Sequence, residues 1–368
     1  MHRIYLSLAT MTCEPSASRE ASQLHFMYRQ LLVTPKPVSP QKFNLQSQTG
    51  IVTGSNVGLG IECCRQLLDL GLDHLILAVR NEDKGRKAKE DLQKGTPGAK
   101  IEVWKLDLST YDSVTAFAQR CNTLSRLQFV ILNAGVFKVK LEINESTSHE
   151  EVMQVNYPST ALLTNLLLPI LKERNTPAHP GRITIVSSET AAWCKFKEQE
   201  PNPILPAFND PKNFEKQERY YTSKLLEQLF LVQLAKRVPS SVAVVNCVNP
   251  GFCYGSNLHH EAAVGVVGAI FTGIKRTIGR STEVGARSLT DAAVNHGSET
   301  HGKYLGDCQI KPQVQHAFAL SSTLLTSCGM APFVTSPKGD SVGERLWNET
   351  MAELSFARAQ ETLNDLKR

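Results

Sequence analysis

A doubly wound, parallel α/β sheet in a single domain is the fold this sequence predicts, and three observations predict it. From residue 46 onward, short apolar runs alternate with segments of helical period, the pattern of successive βαβ units. The first of those runs ends in a glycine-rich loop that opens a helix. No internal repeat and no second apolar core interrupts the pattern, although 368 residues would allow two domains.

The elements follow in order. Thr49–Thr53 reads as the first strand and residues 61–70 as an apolar-periodic helix. His74–Val79 is strand-like, and 83–94 is helical with a charged outer face. Residues 101–106 alternate as a strand, and 113–124 form a helix. Phe129–Leu132 is a short continuous apolar run, as expected of a strand buried on both faces. Residues 150–171 read as one helix, kinked where Pro158 cannot bond the Gln154 carbonyl. Strands at 182–186 and 242–248 flank a helix around Tyr220, giving six strands. Ahead of them, residues 1–45 form an N-terminal extension: a partly disordered stretch, then an arm with Phe26, Tyr28, Pro35, Pro37 and Pro40. Met11 offers a second start site, and a weak organelle signal is the minor alternative for the opening residues. Residues 46–310 make up the main domain and 311–368 a C-terminal extension.

Two insertions break the alternation, at 189–219 and 252–280. Long connections after strands sit at the carboxyl edge of such a sheet, where ligands bind. The first carries Trp193, Phe196, Phe208 and Phe214; the second carries Phe252, Tyr254, Val264, Val267, Ile270 and Phe271. Both read as covers over an apolar ligand.

Composition excludes several classes. Hydrophobic residues are 41%, charged residues 20% and the formal charge is +5, an ordinary globular balance. Lys84, Arg86, Lys87 and Lys89 alternate with Glu82, Asp83, Glu90 and Asp91, a solvated helix face rather than a nucleic-acid stripe. The nine cysteines lack Cys-x-x-Cys spacing, so no disulfide framework or metal site is expected, and a reducing cytoplasmic compartment fits. No run approaches the ~18 apolar residues of a membrane span.

The loop Thr53-Gly54-Ser55-Asn56-Val57-Gly58-Leu59-Gly60 lets backbone approach a ligand and offers helix N–H groups to a pyrophosphate. Gly54, Ser55, Asn56, Gly58, Leu59 and Gly60 are therefore candidate cofactor contacts on a Rossmann-type sheet. The second strand ends in Arg80, with no acid before Glu82, which favours a 2′-phosphate and hence NADP(H). Asp107 could accept from the adenine amine, and Asn133-Ala134-Gly135 would stand beside the first loop.

Tyr220 and Lys224, four apart on a helix, share a face. A phenol has a pKa of about 10, and a nearby ammonium favours the phenolate, so the pair is a candidate general acid. Asn156, beside the Pro158 kink, is placed to hold a water. Ser187 and Ser188 end the fifth strand, where a hydroxyl could bond a carbonyl oxygen.

Taken in order, Thr-Gly-x-x-x-Gly-x-Gly, Asn-Ala-Gly, Val-Ser-Ser, Tyr-x-x-x-Lys and Asn-Pro-Gly resemble the short-chain dehydrogenase/reductase family over residues 46–310. The long interval before Tyr220 and the Arg280-Ser-Thr-Glu-Val-Gly-Ala-Arg stretch resemble the branch of retinol dehydrogenases and protochlorophyllide reductases; the arm resembles fungal biosynthetic reductases. The resemblance implies a catalytic tetrad of Asn156, Ser188, Tyr220 and Lys224, with Tyr220 and Lys224 also touching cofactor. Pro250, Gly251 and, in place of the family's threonine, Ser256 would hold the nicotinamide end.

It further implies an NADP-dependent enzyme that reduces a ketone or aldehyde of a bulky hydrophobic metabolite, or oxidises the alcohol, in fungal secondary metabolism. No nucleic-acid partner is expected, and the assembly is left open to a homodimer. The alternative is a non-catalytic NADP-binding sensor or scaffold on the same fold. Retention of all four tetrad residues argues against it.

Overall fold

The computed structural model describes residues 22–258, 261, 265–311 and 330–366. The disorder and targeting expectations for the opening residues, and Val264, lie outside them, as do the side chains of Val267, Ile270 and Phe271.

The chain begins with helix α1 (Gln23–Leu32), then β1 (Thr49–Thr53), α2 (Gly58–Asp69), β2 (His74–Val79), α3 (Glu82–Gly95) and β3 (Lys100–Lys105). Next come α4 (Tyr111–Cys121), β4 (Phe129–Leu132), α5 (Glu151–Asn156), α6 (Pro158–Arg174) and β5 (Gly181–Val186). Four 3-10 turns fill the first insertion before α7 (Lys216–Ala235) and β6 (Ala243–Asn249). Beyond them lie β7 (Cys253–Tyr254), α8 (Gly265–Ile278), β8 (Arg280–Ser281), α9 (Thr282–Val294), β9 (Tyr304–Gly306), β10 (Gln309–Ile310), α10 (Pro337–Glu353) and α11 (Ala359–Leu366).

Eight strands form the main sheet in the order β10-β9-β6-β5-β4-β1-β2-β3. All pairings are parallel except β9 with β10. The doubly wound expectation is borne out. Two strands were not anticipated: β9 and β10 are two or three residues long, too short for a period to register.

Both faces of the sheet are covered, and the pleat assigns alternate residues to each. Ile51, Val130, Ile183 and Val245 face α4, α6 and α7, where Val114, Leu167 and Leu226 meet them. Val52, Ile131, Val186 and Val248 face α2 and α9, against Leu67 and Leu289. Leu346 and Trp347 of α10 and Leu363 of α11 pack into the first of these cores. The order reverses between β1 and β4, so their carboxyl ends open a crevice at the switch point.

The 150–171 helix divides at the expected place. Tyr157 leaves helical geometry (φ −119°, ψ −76°), and Pro158 becomes the first residue of α6. Helix α1 was not expected. Ser22 caps it by accepting from the His25 N–H at 3.2 Å.

Arg219, at 1% exposure, fixes the first insertion to α7. Its guanidinium donates to Glu198 Oε1 (3.1 Å) and the Phe208 carbonyl (3.1 Å), and lies 3.7 Å from Glu150. It also stacks over the Phe208 ring at 4.7 Å. Removing one member of a buried ion pair strands the others, so Arg219→Met is expected to cost about 3–5 kcal/mol in denaturant unfolding. A loss under about 1 kcal/mol would mean the pair contributes no more than a surface one.

Candidate active site

The glycine loop is shaped for close approach. Gly54 and Gly58 both have φ +63°, a left-handed conformation that side chains resist. The Gly54 N–H donates to the Ala78 carbonyl at 2.8 Å, tying the loop to β2. A Cβ on Gly60 would lie 2.4 Å from the Gly54 carbonyl oxygen, so only glycine lets α2 pack this close. Asn133 donates to the Thr53 (2.9 Å) and Gly54 (3.3 Å) carbonyls, and the Ala134 N–H donates to Thr53 Oγ1 (2.9 Å). No side chain caps α2 at Val57, leaving its first N–H groups for a ligand. These features fit a dinucleotide pyrophosphate.

Gly54, Asn56, Val57, Gly58 and Leu59 line one end of a cleft of about 880 Å³. Ser55 departs from expectation. It is 0% exposed and absent from the lining, because its side chain turns into the protein, where its hydroxyl has no hydrogen-bond partner among the described residues. Gly60 is likewise buried behind the loop, acting through packing.

Arg80 lies exposed on the cleft wall, and Lys84, in the first turn of α3, lines the same end. Asn81 caps α3 by accepting from the Lys84 N–H at 2.9 Å, which sets both cations on one corner. Sequence reading assigned Lys84 to a solvated face and missed this proximity. Asp107 also lines the cleft; its Oδ1 accepts from the Ser109 N–H (3.1 Å), and its own N–H donates to Ser113 Oγ (2.8 Å).

Tyr220 and Lys224 line the cleft from α7, as α-helical spacing requires. The Lys224 ammonium lies 5.9 Å from the Tyr220 ring centroid and donates to the Val186 carbonyl at 2.9 Å. It also pairs at 2.6 Å with Glu227, and both side chains are nearly sealed from solvent. Glu227 was missed, though a carboxylate three residues after a lysine on a helix is a readable signal. Burial pushes the Glu227 carboxyl up to about 7, against the pull of Lys224.

Burial opposes the Lys224 charge, but Glu227 and Tyr220 outweigh it, and the ammonium is held above its ordinary value. Burial likewise raises the Tyr220 phenol; Lys224 pulls it down, and Glu227 pushes it up again. The net direction is up, opposite to the expectation from Lys224 alone, because burial outweighs the cation and Glu227 adds to it.

Ser188 lines the cleft and caps a 3-10 turn, its Oγ accepting from the Thr190 N–H (3.2 Å) and hydroxyl (2.9 Å). Ser187 is buried and donates to the Lys224 carbonyl at 3.2 Å. Asn156 stands behind the wall at 0% exposure. Its Oδ1 accepts from the Val136 N–H (2.8 Å), and its Nδ2 donates to the Val136 carbonyl (3.0 Å) and Ser223 Oγ (3.0 Å). Ser223 in turn donates to the Tyr220 carbonyl at 2.7 Å. Both amide hydrogens of Asn156 are thus engaged, and only the second lone pair of Oδ1 remains to hold a water.

Pro250, Gly251 and Ser256 line the cleft near the glycine loop, and a Cβ on Gly58 would come within 3.2 Å of Ser256 Cα. Lys275 donates to Ser256 Oγ at 3.3 Å.

The insertions cover less of the cleft than expected. Trp193 and Phe252 line it. Phe196 and Phe208 are each 1% exposed, stacked 6.4 Å apart, and Phe196 packs edge-on against Phe333. They are core residues. Phe214 faces Arg219, and neither it nor Tyr254 is on the lining. Their places are taken by Phe26 from α1, Phe137 after β4 and Tyr221. Phe137 meets the Tyr220 ring edge-on at 6.0 Å.

Among the described residues no cluster of potential metal ligands occurs, and no helix is long and apolar enough to cross a membrane.

Comparison with known proteins returns one consistent picture. Residues 48–196 match the family described as short chain dehydrogenase. The chain is 44% identical to the short-chain dehydrogenase fogG of Aspergillus ruber over 363 residues, 97% of this chain and 99% of that protein. It is 42% identical to the short chain dehydrogenase/reductase mfmJ of Annulohypoxylon moriforme, over 89% of this chain and 90% of the relative. The RhlG/NADP active-site complex of Pseudomonas aeruginosa superposes with a TM-score of 0.56 at 21% identity, over 73% of this chain and 97% of that one. At that identity the likeness speaks for the fold alone.

Proposed function

The chain belongs to the short-chain dehydrogenase family of oxidoreductases, and from that premise we propose an NADPH-dependent reductase of a bulky, hydrophobic ketone or aldehyde. The observation that carries this reading is the convergence of Tyr220 and Lys224 with the uncapped glycine loop on one cleft. A bound nicotinamide would supply the hydride for the carbonyl carbon.

Tyr220 is the residue that delivers a proton to the carbonyl oxygen, and its largely protonated state at neutral pH suits an acid. Ser188 donates a hydrogen bond to that oxygen as negative charge develops. Lys224 stabilises the phenolate left behind and bonds the ribose hydroxyls. Asn156 holds the α5 end against the Tyr220 turn through Ser223 and offers its remaining lone pair to a water.

Arg80 and Lys84 support a preference for the 2′-phosphate. A charge-assisted bond is worth about 1.5–3 kcal/mol, so Arg80→Ala is expected to lower the NADPH over NADH preference roughly tenfold to a hundredfold. The double Arg80→Ala/Lys84→Ala variant should go further. Equal catalytic efficiency with the two cofactors in the unaltered protein would refute the assignment.

Phe26, Phe137, Trp193, Tyr221 and Phe252 give the cleft an aromatic wall suited to a ring-bearing substrate, with polar groups such as Thr190 and Gln217 also on the lining. Such a substrate belongs to secondary metabolism in this reading, with fungal relatives such as fogG in support. The protein is proposed to act in the cytoplasm, and a homodimer is the assembly to test by sedimentation. A panel of carbonyl compounds with NADPH, followed by the loss of its absorbance, tests the activity. Tight NADPH binding with no turnover across the panel would favour the sensor alternative, and preference for small polar carbonyls would overturn the substrate class.

A further inference from the structure

We propose that helix α1 is a specificity strap: Phe26 forms part of the substrate wall, and Gln30 fixes the Phe252 segment that lines the same cleft. The inference rests on the reductase reading and adds a specificity element from outside the dinucleotide fold.

The Gln30 side chain is 7% exposed and reads the backbone of Phe252 on both sides. Its Oε1 accepts from the Phe252 N–H at 3.1 Å, and its Nε2 donates to the Phe252 carbonyl at 2.7 Å. The same amide donates to the Ile278 carbonyl at 3.1 Å, the last residue of α8. One carboxamide thereby holds both ends of the second insertion, as a neighbouring strand would.

Arg29, the preceding residue, reaches the other insertion. It pairs with Glu189, the residue after Ser188, and with Asp307 at 3.3 Å. Arg280 completes the anchor, pairing with Asp307 at 2.7 Å and donating to the Arg29 (2.9 Å) and Val33 (2.8 Å) carbonyls. Arg29, Asp307 and Arg280 are buried, where hydrogen-bonded charges hold geometry more strictly than on a surface.

Phe26, one turn earlier, meets the Trp193 ring edge-on at 5.3 Å, and Trp193 meets Tyr221 at 6.1 Å. All three line the cleft that holds Tyr220. A ring held against Phe26 and Phe252 meets groups whose positions α1 sets.

The test uses the full chain with Phe26→Ala, Gln30→Ala and Gln30→Glu, probing with 2-acetylnaphthalene and acetone. For Phe26→Ala, KM for 2-acetylnaphthalene should rise roughly tenfold with a smaller change in kcat, and selectivity over acetone should fall by a similar factor. NADPH affinity should stay within about twofold of the unaltered protein, since the glycine loop is untouched.

Hydrogen–deuterium exchange judges the Gln30 part without any turnover. Gln30→Ala should speed exchange at Phe252, and Gln30→Glu, which keeps the acceptor and loses the donor, should fall between. Calorimetric titration of 2-acetylnaphthalene judges the wall if the protein reduces neither probe. The reductase reading fails only if the wider carbonyl panel also shows no turnover, and the strap is decided by this binding comparison either way. Unchanged ketone affinity in Phe26→Ala, or unchanged exchange at Phe252 in Gln30→Ala, would overturn the strap.

Discussion

Replacing Tyr220 with phenylalanine is expected to lower kcat/KM by about 10²- to 10⁴-fold while NADPH binding persists. The change removes one oxygen from a ring that is 9% exposed and packed edge-on against Phe137, so the fold should barely respond. It does remove the acidic hydroxyl in the wall beside Lys224. Burial keeps that hydroxyl protonated at neutral pH, and Lys224 stabilises the anion it becomes. Tyr221 cannot substitute: it is the next residue on α7, so it points about 100° away around the helix. If Tyr220→Phe keeps NADPH affinity and loses less than about tenfold in turnover, proton delivery belongs elsewhere.

What the sequence made legible, and what it hid, follows from which interactions are local. Strands buried on both faces appear as continuous apolar runs, so β1, β2 and β4 could be read nearly to the residue. The glycine loop was legible because backbone geometry dictates residue type there. Helix α1 was hidden because its pattern is inverted: Leu24, Leu31 and Leu32 are exposed while Arg29 and Gln30 are buried. The reason is the buried cluster at Asp307, far along the chain, which no local period announces. Aromatic content likewise marked the first insertion without saying which way its rings face. Phe196 and Phe208 turn to the core because Arg219 and Phe333 await them there, while Trp193 turns to the cleft. Ser55 fits the same lesson: a loop motif fixes the backbone, and the side-chain direction depends on what packs beside it.

Lys224→Met should separate catalysis from stability, because Lys224 answers to two partners. Turnover is expected to fall by about 10² or more, since the phenolate of Tyr220 would lose its counter-charge in a buried site. The fold responds through Glu227. Burial already raises that carboxyl to about 7 in the presence of Lys224, and removing the cation raises it further. A carboxyl whose folded value exceeds its unfolded value of about 4.3 contributes stability in full below that point. The contribution is lost as pH rises through the folded value. Lys224→Met should therefore lose stability increasingly between about pH 6 and pH 8, at up to roughly 1.4 kcal/mol per pH unit. Adding Glu227→Gln removes the titrating group and should restore the denaturant midpoint at pH 8 without restoring turnover. Denaturant curves and kcat for both variants across that range decide the matter. Recovery of activity in the double variant would show that Lys224 serves only to neutralise Glu227, and a pH-independent loss of stability would show that losing Lys224 does not raise the Glu227 carboxyl any further.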